Sequence, residues 1–186
     1  GIYFFIFQFY AQFLILRKVA LSYIYPKFVA DPNSSFDEVW VMRWFLLVTA
    51  AMIALLAMHT ILLDTLVRVF LGAKWSDYLI IFFINGCILF EKIVFSISEP
   101  YYSFRNRTDR IIKTTFLNLV IMALLILLLQ HNLSILLVSL ASFIAFYIAN
   151  NIIFIFAVDG KKRDFLLLAL LRIFAYSGGY LYVENL

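Results

Sequence analysis

The chain has 186 residues, of which 65% are hydrophobic and only 14% charged, with a formal net charge of +4. Soluble domains contain about 25% charged residues, and a water-soluble fold of this size could not bury so much apolar surface. The composition excludes an ordinary soluble domain and predicts an all-α, polytopic transmembrane helix bundle. The cations flank apolar stretches, so the positive charge does not indicate nucleic-acid binding.

The sequence carries few residues suited to covalent or metal chemistry. Cys87 is the single cysteine, which excludes a disulfide within the chain. His59 and His131 are far apart and have no further ligand at metal-binding spacing. There is no phosphate-binding glycine loop and no nucleophile motif. We therefore expect no metal, no cofactor and no enzymatic activity.

The first half of the chain predicts three membrane helices. The first, 2–25, ends at Pro26, and a polar loop with two prolines leads to the second, 36–70. The linker "LGAKWSD" separates the second helix from the third, 77–98, which we expect to stop before Pro100. Each approaches or exceeds the roughly twenty residues that cross about 30 Å of hydrocarbon.

The second half predicts three more helices, making about six in all. The fourth spans 108–129, and the polar residues Gln130, His131 and Asn132 form a tight turn into the fifth, 133–158. The segment "DGKKRD" interrupts the pattern before the sixth helix, 165–182. The ten-residue alternation of barrel strands is absent from the sequence.

The loop cations lie mostly on one side of this arrangement. That side holds nine of them, namely Lys27, Arg43, Arg105, Arg107, Arg110, Lys113, Lys161, Lys162 and Arg163. The other side holds Arg68 and Lys74. Because cytoplasmic loops are enriched in Lys and Arg, the segment "SFRNRTDRIIK" is interpreted as a cytoplasmic topology anchor. The same cations are also suited to contact anionic lipid head groups.

Four cations lie inside apolar stretches, where charged side chains usually face a bundle interior or a wet cavity. Arg17 and Arg172 are each about 15 Å from the cytoplasmic end of their helices, and with Lys18 they are candidates for a buried polar site. Gln8 and Gln12 are four residues apart and suggest a polar stripe leading to Arg17.

The fourth intramembrane cation, Lys92, follows Glu91 directly. Lys92 either faces the interior or extends toward the interface, and Glu91 is placed to neutralise it or to carry a coupling ion. Asp64 lies four residues before Arg68 on one helix face, which favours a structural ion pair. Asp64 is also a second candidate for ion coupling.

Three stretches resemble the multidrug/oligosaccharidyl-lipid/polysaccharide exporter superfamily, especially its bacterial polysaccharide flippases. "VALSYIYPKF" is similar to that family's helix ending in small residues and Pro. "LLDTLVRVFLGAKWSDYLIIFFI" resembles its apolar-Gly-aromatic turn between helices, and "EPYYSFRNRTDRIIKTTFLNLVI" resembles a cytoplasmic loop leading into a helix that bears an Asn. The second helix departs from the pattern, because it lacks the Pro that many members carry there.

The resemblance implies that residues 1–158 are five helices of the C-terminal lobe of a two-lobe transporter, similar to a multidrug and toxin extruder. Residues 159–186 lie beyond the resemblance and are expected to add a further transmembrane helix. The first lobe would then precede Gly1, so the chain is expected to belong to a longer protein.

The function implied is a flippase that moves a lipid-linked oligosaccharide, a polysaccharide or lipopolysaccharide precursor, across the bacterial inner membrane by alternating access. Arg17, Lys18 and Arg172, with Gln8 and Gln12, are the predicted substrate contacts, because cations can donate charge-assisted hydrogen bonds to a diphosphate. Membrane lipids and a polymerase or other biosynthesis proteins are the expected partners.

Three alternatives stay open. An ion-coupled drug exporter of the same superfamily needs an intramembrane carboxylate, but the cavity cations would repel cationic drugs. A non-transporting membrane subunit or scaffold would pair its buried charges with partner chains. A membrane-embedded transferase would need a cluster of His or acidic residues near a membrane face, and the sequence has none.

Overall fold

The computed structural model describes residues 38–132, 134–158 and 160–186, and in the N-terminal part only Gln8, Ile15, Lys18, Val19, Ser22 and Pro26. All regular structure in these ranges is helical. Five helical stretches of the described chain are long and apolar enough to cross a membrane: Val41–Leu71, Ala73–Ser103, Asp109–Leu129, Ile135–Ala157 and Lys162–Glu184. The expected multi-pass helical character is confirmed for this part. Most of the predicted first helix, 2–25, lies outside the described residues.

Helix α1, Glu38–Leu71, is the longest and ends where the linker predicts. Gly72 has a φ of 93°, and its N–H donates to the carbonyl oxygens of Val67 and Arg68 at 3.2 and 3.0 Å. A left-handed residue at this point closes a helix at little cost only when it has no Cβ. A short 3₁₀ segment, Ala73–Tyr78, then turns the chain into the next helix.

The third predicted helix continues further along the chain than expected. Helix α2, Leu79–Val94, continues through a 3₁₀ turn, Phe95–Ile97, into the short helix α3, Ser98–Phe104. The prediction that helical structure stops before Pro100 is wrong. Pro100 lies in the first turn of α3, where its missing N–H has no partner to lose, so proline is tolerated there.

The remaining helices are α4, Asp109–Leu129, α5, Ile135–Ala157, and α6, Lys162–Glu184. Ser134 caps α5 by accepting a hydrogen bond from the N–H of Leu137 at 3.2 Å. Helix α6 begins three residues earlier than predicted, so part of "DGKKRD" is helical. Polar residues are tolerated in a first helical turn, and Asp164 there is favoured by the helix dipole.

Helix α2 is the centre of the bundle and packs against α1, α5 and α6. Helix α6 is therefore integral to the packing of this part of the chain. Close approach of α6 to α2 depends on Gly179, where a Cβ would lie 2.7 Å from the Phe83 ring. Helix α4 pairs mainly with α5 and has no buried residue, so it is the most peripheral of the described helices.

Two apolar clusters form the core. One cluster lies at the end of the bundle where Arg107 contacts α5, and we call it the cationic-end cluster. It contains Phe45, Phe95, Phe154 and Phe165, whose rings pack with centroid distances such as 4.6 Å for Phe45–Phe154. The far cluster includes Leu56, Phe82, Phe90, Tyr147 and Tyr176. The two clusters occupy opposite halves of the same helices.

The loop between α3 and α4 contacts the end of α5. Nη1 of Arg107 donates to the carbonyl oxygen of Ala157 at 2.5 Å, so the α3–α4 loop and the end of α5 lie at the same end of the bundle. The predicted cytoplasmic cations of the described chain lie at that same end: Arg43 is in the first turns of α1 near Phe45, Arg105, Arg107, Arg110 and Lys113 are in or beside the α3–α4 loop, and Lys161, Lys162 and Arg163 are at the start of α6. We call it the cationic end.

Candidate functional site

A buried ion pair joins α2 and α6. Nε of Arg172 donates to Oε1 of Glu91 at 2.7 Å, and the two side chains are 2% and 0% exposed. Arg172 is ten residues into α6, which places it about 15 Å from the cationic end. The pair therefore lies well inside the apolar part of the bundle, where an unpaired charge would be costly.

Three more polar side chains complete this buried network. Nη2 of Arg172 donates to Oδ1 of Asn151 at 2.8 Å, and Nη1 is 3.4 Å from Oγ1 of Thr49. The Tyr176 hydroxyl donates to the same Glu91 oxygen at 2.7 Å. Residues of α1, α2, α5 and α6 are thus held together by one guanidinium and one carboxylate, which we call the Glu91–Arg172 network.

The network forms a polar layer between the two apolar clusters. On α1, Thr49 lies between Phe45 of the cationic-end cluster and Leu56 of the far cluster. Asn151 on α5 has the same position between the clusters. The guanidinium also lies 5.6 Å from the centre of the Phe95 ring, within the range of a cation–π contact. The layer is consequently shielded on both sides by apolar packing.

The two carboxylate oxygens of Glu91 differ in the hydrogen bonds that they accept. Oε1 accepts two hydrogen bonds, whereas Oε2 is buried and accepts none from the described residues. A buried acceptor without a donor is destabilising, and a proton on Oε2 would remove the negative charge that holds Arg172. The geometry therefore provides a carboxylate at which protonation and the strength of the ion pair are coupled.

Lys92 points to a different side of α2 from its neighbour Glu91. Its Nζ lies 5.9 Å from the centre of the Phe146 ring on α5. Phe146 is eleven residues before Ala157, which corresponds to roughly 16 Å from the cationic end. Glu91 therefore forms its ion pair with Arg172, and Lys92 lies beside Phe146 of α5.

The other predicted carboxylate, Asp64, pairs with Arg68. Nε of Arg68 lies 2.7 Å from Oδ1 of Asp64. The Asp64 side chain is 30% exposed and the Arg68 side chain is 54% exposed. The expected structural pair is present in the structure. Its exposure distinguishes it from the Glu91–Arg172 network, because an exposed pair contributes little to stability.

The predicted polar stripe of the first helix is described only in part. Gln8 and Lys18 are helical and exposed, and they take no part in the buried network. Arg17 and Gln12 lie outside the described residues. Their role in contacting substrate stays a prediction.

The predicted anchor cations have distinct local contacts. Arg107 caps α5 through the carbonyl of Ala157, and Nζ of Lys113 pairs with Asp109 at 2.6 Å on the surface of α4. Arg110 lies 4.0 Å from the same aspartate, and Arg105 lies 6.0 Å from the centre of the Tyr101 ring. The structure gives Arg107 a role in packing beside its predicted role in orientation.

Sequence reasoning did not find that Glu91 and Arg172 are partners, because they are 81 positions apart. A usable signal was their depth, since both lie about 15 to 20 Å from the cationic end of their own helices. Opposite charges at similar depth in one bundle are expected to pair. Thr49 and Tyr176 gave no comparable signal in apolar helices.

Comparison with known proteins adds no relative: no family model, curated protein or solved structure matches the chain.

Proposed function

We propose that the chain is part of a multi-pass transporter that flips a lipid-linked oligosaccharide across the bacterial inner membrane. The observation that carries the proposal is the Glu91–Arg172 network, a charged layer fully buried in apolar helices. Charged groups at such depth are costly and usually mark a transport pathway or a proton relay. The helices of the network would rock against a first lobe or a second copy of the chain in alternating access.

In this proposal the ion pair is a charge switch. When Glu91 is ionised, Arg172 is held within the chain by its bonds to Glu91 and Asn151. When Glu91 takes up a proton, Arg172 loses its counter-charge and can donate charge-assisted hydrogen bonds to a substrate diphosphate. Arg17 and Lys18 supply further positive charge from the first helix.

An ion-coupled exporter of the same superfamily is the second candidate. The buried Glu91, with an oxygen that accepts no hydrogen bond from the described residues, is the intramembrane carboxylate that such a protein needs. The scaffold alternative is less well supported, because the buried Arg172 is paired within its own chain rather than awaiting a partner subunit.

The test is translocation by the full-length protein in liposomes. A polyprenyl-diphosphate-linked sugar with a fluorescent label is placed in one leaflet, and its appearance in the other is measured. We expect translocation by the wild type, and a loss of at least tenfold with Glu91→Gln. A wild-type protein that moves a cationic dye but not the lipid-linked sugar would favour the exporter instead. A protein that moves neither would overturn the proposal.

A further inference from the structure

The same five-residue pattern occurs near the start of α1 and of α6. Residues 43–47 read "RWFLL" and residues 163–167 read "RDFLL", so each pattern has an arginine two positions before a phenylalanine and four positions before a leucine. The two phenylalanines, Phe45 and Phe165, are buried, and their ring centres are 5.2 Å apart. Because both rings lie near the first turns of their helices, α1 and α6 begin at the cationic end and run in the same direction. The ring contact therefore places the two patterns at the same level in the bundle.

The arginines of the pattern face away from the core. Two positions along a helix correspond to about 200° of rotation, so each arginine lies opposite the buried ring of its pattern. Four positions return to nearly the same face, so each arginine shares its face with the leucine. Arg43 and Arg163 are both exposed, and Leu47 and Leu167 are 70% and 65% exposed. Each helix thus presents a cation to its surroundings, with a large apolar side chain one turn further in.

The depth of the arginines corresponds to that of lipid head groups. Helix α6 has 23 residues and is about 35 Å long, slightly more than the roughly 30 Å of the hydrocarbon core. Arg163, its second residue, is therefore at the boundary of the hydrocarbon, and Arg43 shares this level through the ring contact. Leu47 and Leu167 lie about 6 Å deeper, where the acyl chains begin.

The cations of this surface form no ion pairs within the described part of the chain. Arg43, Lys162 and Arg163 are exposed and pair with no carboxylate of the described residues. Asp164, which is also exposed, offsets only part of their charge. Lys162 and Arg163 do not stabilise α6, because cations in the first turn of a helix are disfavoured by its dipole. The surface is consequently positive and open to an anion from outside the chain.

We infer that the starts of α1 and α6 together bind an anionic glycerophospholipid, with Arg43, Lys162 and Arg163 at its head group and Leu47 and Leu167 along its acyl chains. Arginine suits the phosphate, because its planar guanidinium can donate two parallel hydrogen bonds. The positive charge favours a net negative head group over a zwitterionic one, by about fivefold for each cation near the membrane surface. The exposed leucines favour a membrane lipid over a soluble phosphate. The inference does not depend on the proposed transport.

The experiment measures lipid retention by the full-length protein in detergent, using native mass spectrometry. The protein is incubated with equal amounts of phosphatidylglycerol and phosphatidylcholine that have identical acyl chains, so only the head groups differ. We expect phosphatidylglycerol to be retained at least about tenfold over phosphatidylcholine. In the double variant Arg43→Gln, Arg163→Gln this preference should fall at least about fivefold, whereas Arg43→Lys, Arg163→Lys should keep most of it.

The matched control is Arg110→Gln, Lys113→Gln. It removes the same number of cations from the same end of the bundle, but these two lie 4.0 and 2.6 Å from Asp109. The control should keep the preference of the wild type. An equal loss in the control would show that diffuse charge rather than this surface selects the lipid, and would overturn the inference.

Three further results would also overturn it: equal retention of the two lipids by the wild type, an unchanged preference in the folded Arg43→Gln, Arg163→Gln protein, or displacement of the lipid by the same concentration of soluble sn-glycerol 1-phosphate. Both arginines are exposed, so their variants are expected to fold, which circular dichroism checks. If a variant does not fold, the wild type decides the question. Its preference should decline as the ionic strength rises, because exposed charges are screened by salt, and a constant preference would contradict the inference.

Discussion

Removing one partner of the Glu91–Arg172 pair should destabilise the protein far more than removing both. In Arg172→Met, the fully buried Glu91 keeps its carboxylate with no counter-charge, and the donor left to it among the described residues is the Tyr176 hydroxyl. Breaking a buried pair in this way typically costs about 3–5 kcal/mol, because a buried charge is left uncompensated. We expect the free energy of unfolding to fall by about that amount.

The double variant Glu91→Gln, Arg172→Met removes both charges and keeps side chains of similar volume. Replacing a buried ion pair by neutral groups is often neutral or stabilising, so this protein should lie within about 1 kcal/mol of wild type. Because each single variant leaves one buried charge uncompensated at a cost of about 3–5 kcal/mol, the interaction energy from the complete mutant cycle should then be at least about 5 kcal/mol in magnitude.

The assay is unfolding of the purified protein in mixed micelles with an increasing fraction of denaturing detergent, followed by circular dichroism. The matched control is the exposed pair at the far end of α1, changed to Asp64→Asn, Arg68→Gln. That pair should contribute about 0.2–1 kcal/mol. A double variant of the buried pair as unstable as Arg172→Met, or an Arg172→Met protein as stable as the control, would refute the reasoning.

Two further predictions concern helix packing. Gly179→Ala should lower the free energy of unfolding by about 1–3 kcal/mol, because its Cβ would lie 2.7 Å from the Phe83 ring. The control Gly178→Ala, whose Cβ would have nothing within 4 Å, should leave that free energy unchanged. Equal effects of the two variants in the same unfolding assay would contradict the packing. Arg107→Gln should increase amide hydrogen exchange at the end of α5, where the guanidinium caps a carbonyl. The control Lys113→Gln should leave exchange there unchanged. Similar protection of these amides in both proteins would show that the cap is dispensable.

Most of the helical architecture could be predicted, because it follows from hydrophobicity alone. The ends of α1 and α4 agree with prediction to within two residues, since a Gly turn and a basic loop mark them. The break predicted before Pro100 was wrong, because proline is harmful inside a helix but tolerated in its first turn. A preceding 3₁₀ turn that restarts the helix at Ser98 leaves no clear trace in the sequence.

The candidate site could be predicted only as separate charges. The depth of Arg172 followed from counting residues, and its burial agrees with that depth. The orientation of side chains around a helix was harder to predict, because Glu91 and Lys92 are neighbours in sequence but face different helices. Hydropathy does not report which face of a membrane helix meets lipid, so the partner of each charge required the packed structure.

The measurement that tests the central claim most directly is translocation by the Glu91→Gln, Arg172→Met protein. This variant is expected to be folded, so its activity reports on the charges rather than on stability. If the network is a charge switch, the protein should unfold like wild type and flip the lipid-linked sugar at least tenfold more slowly. Wild-type translocation by this uncharged variant would contradict the account and make the network a structural tie between helices.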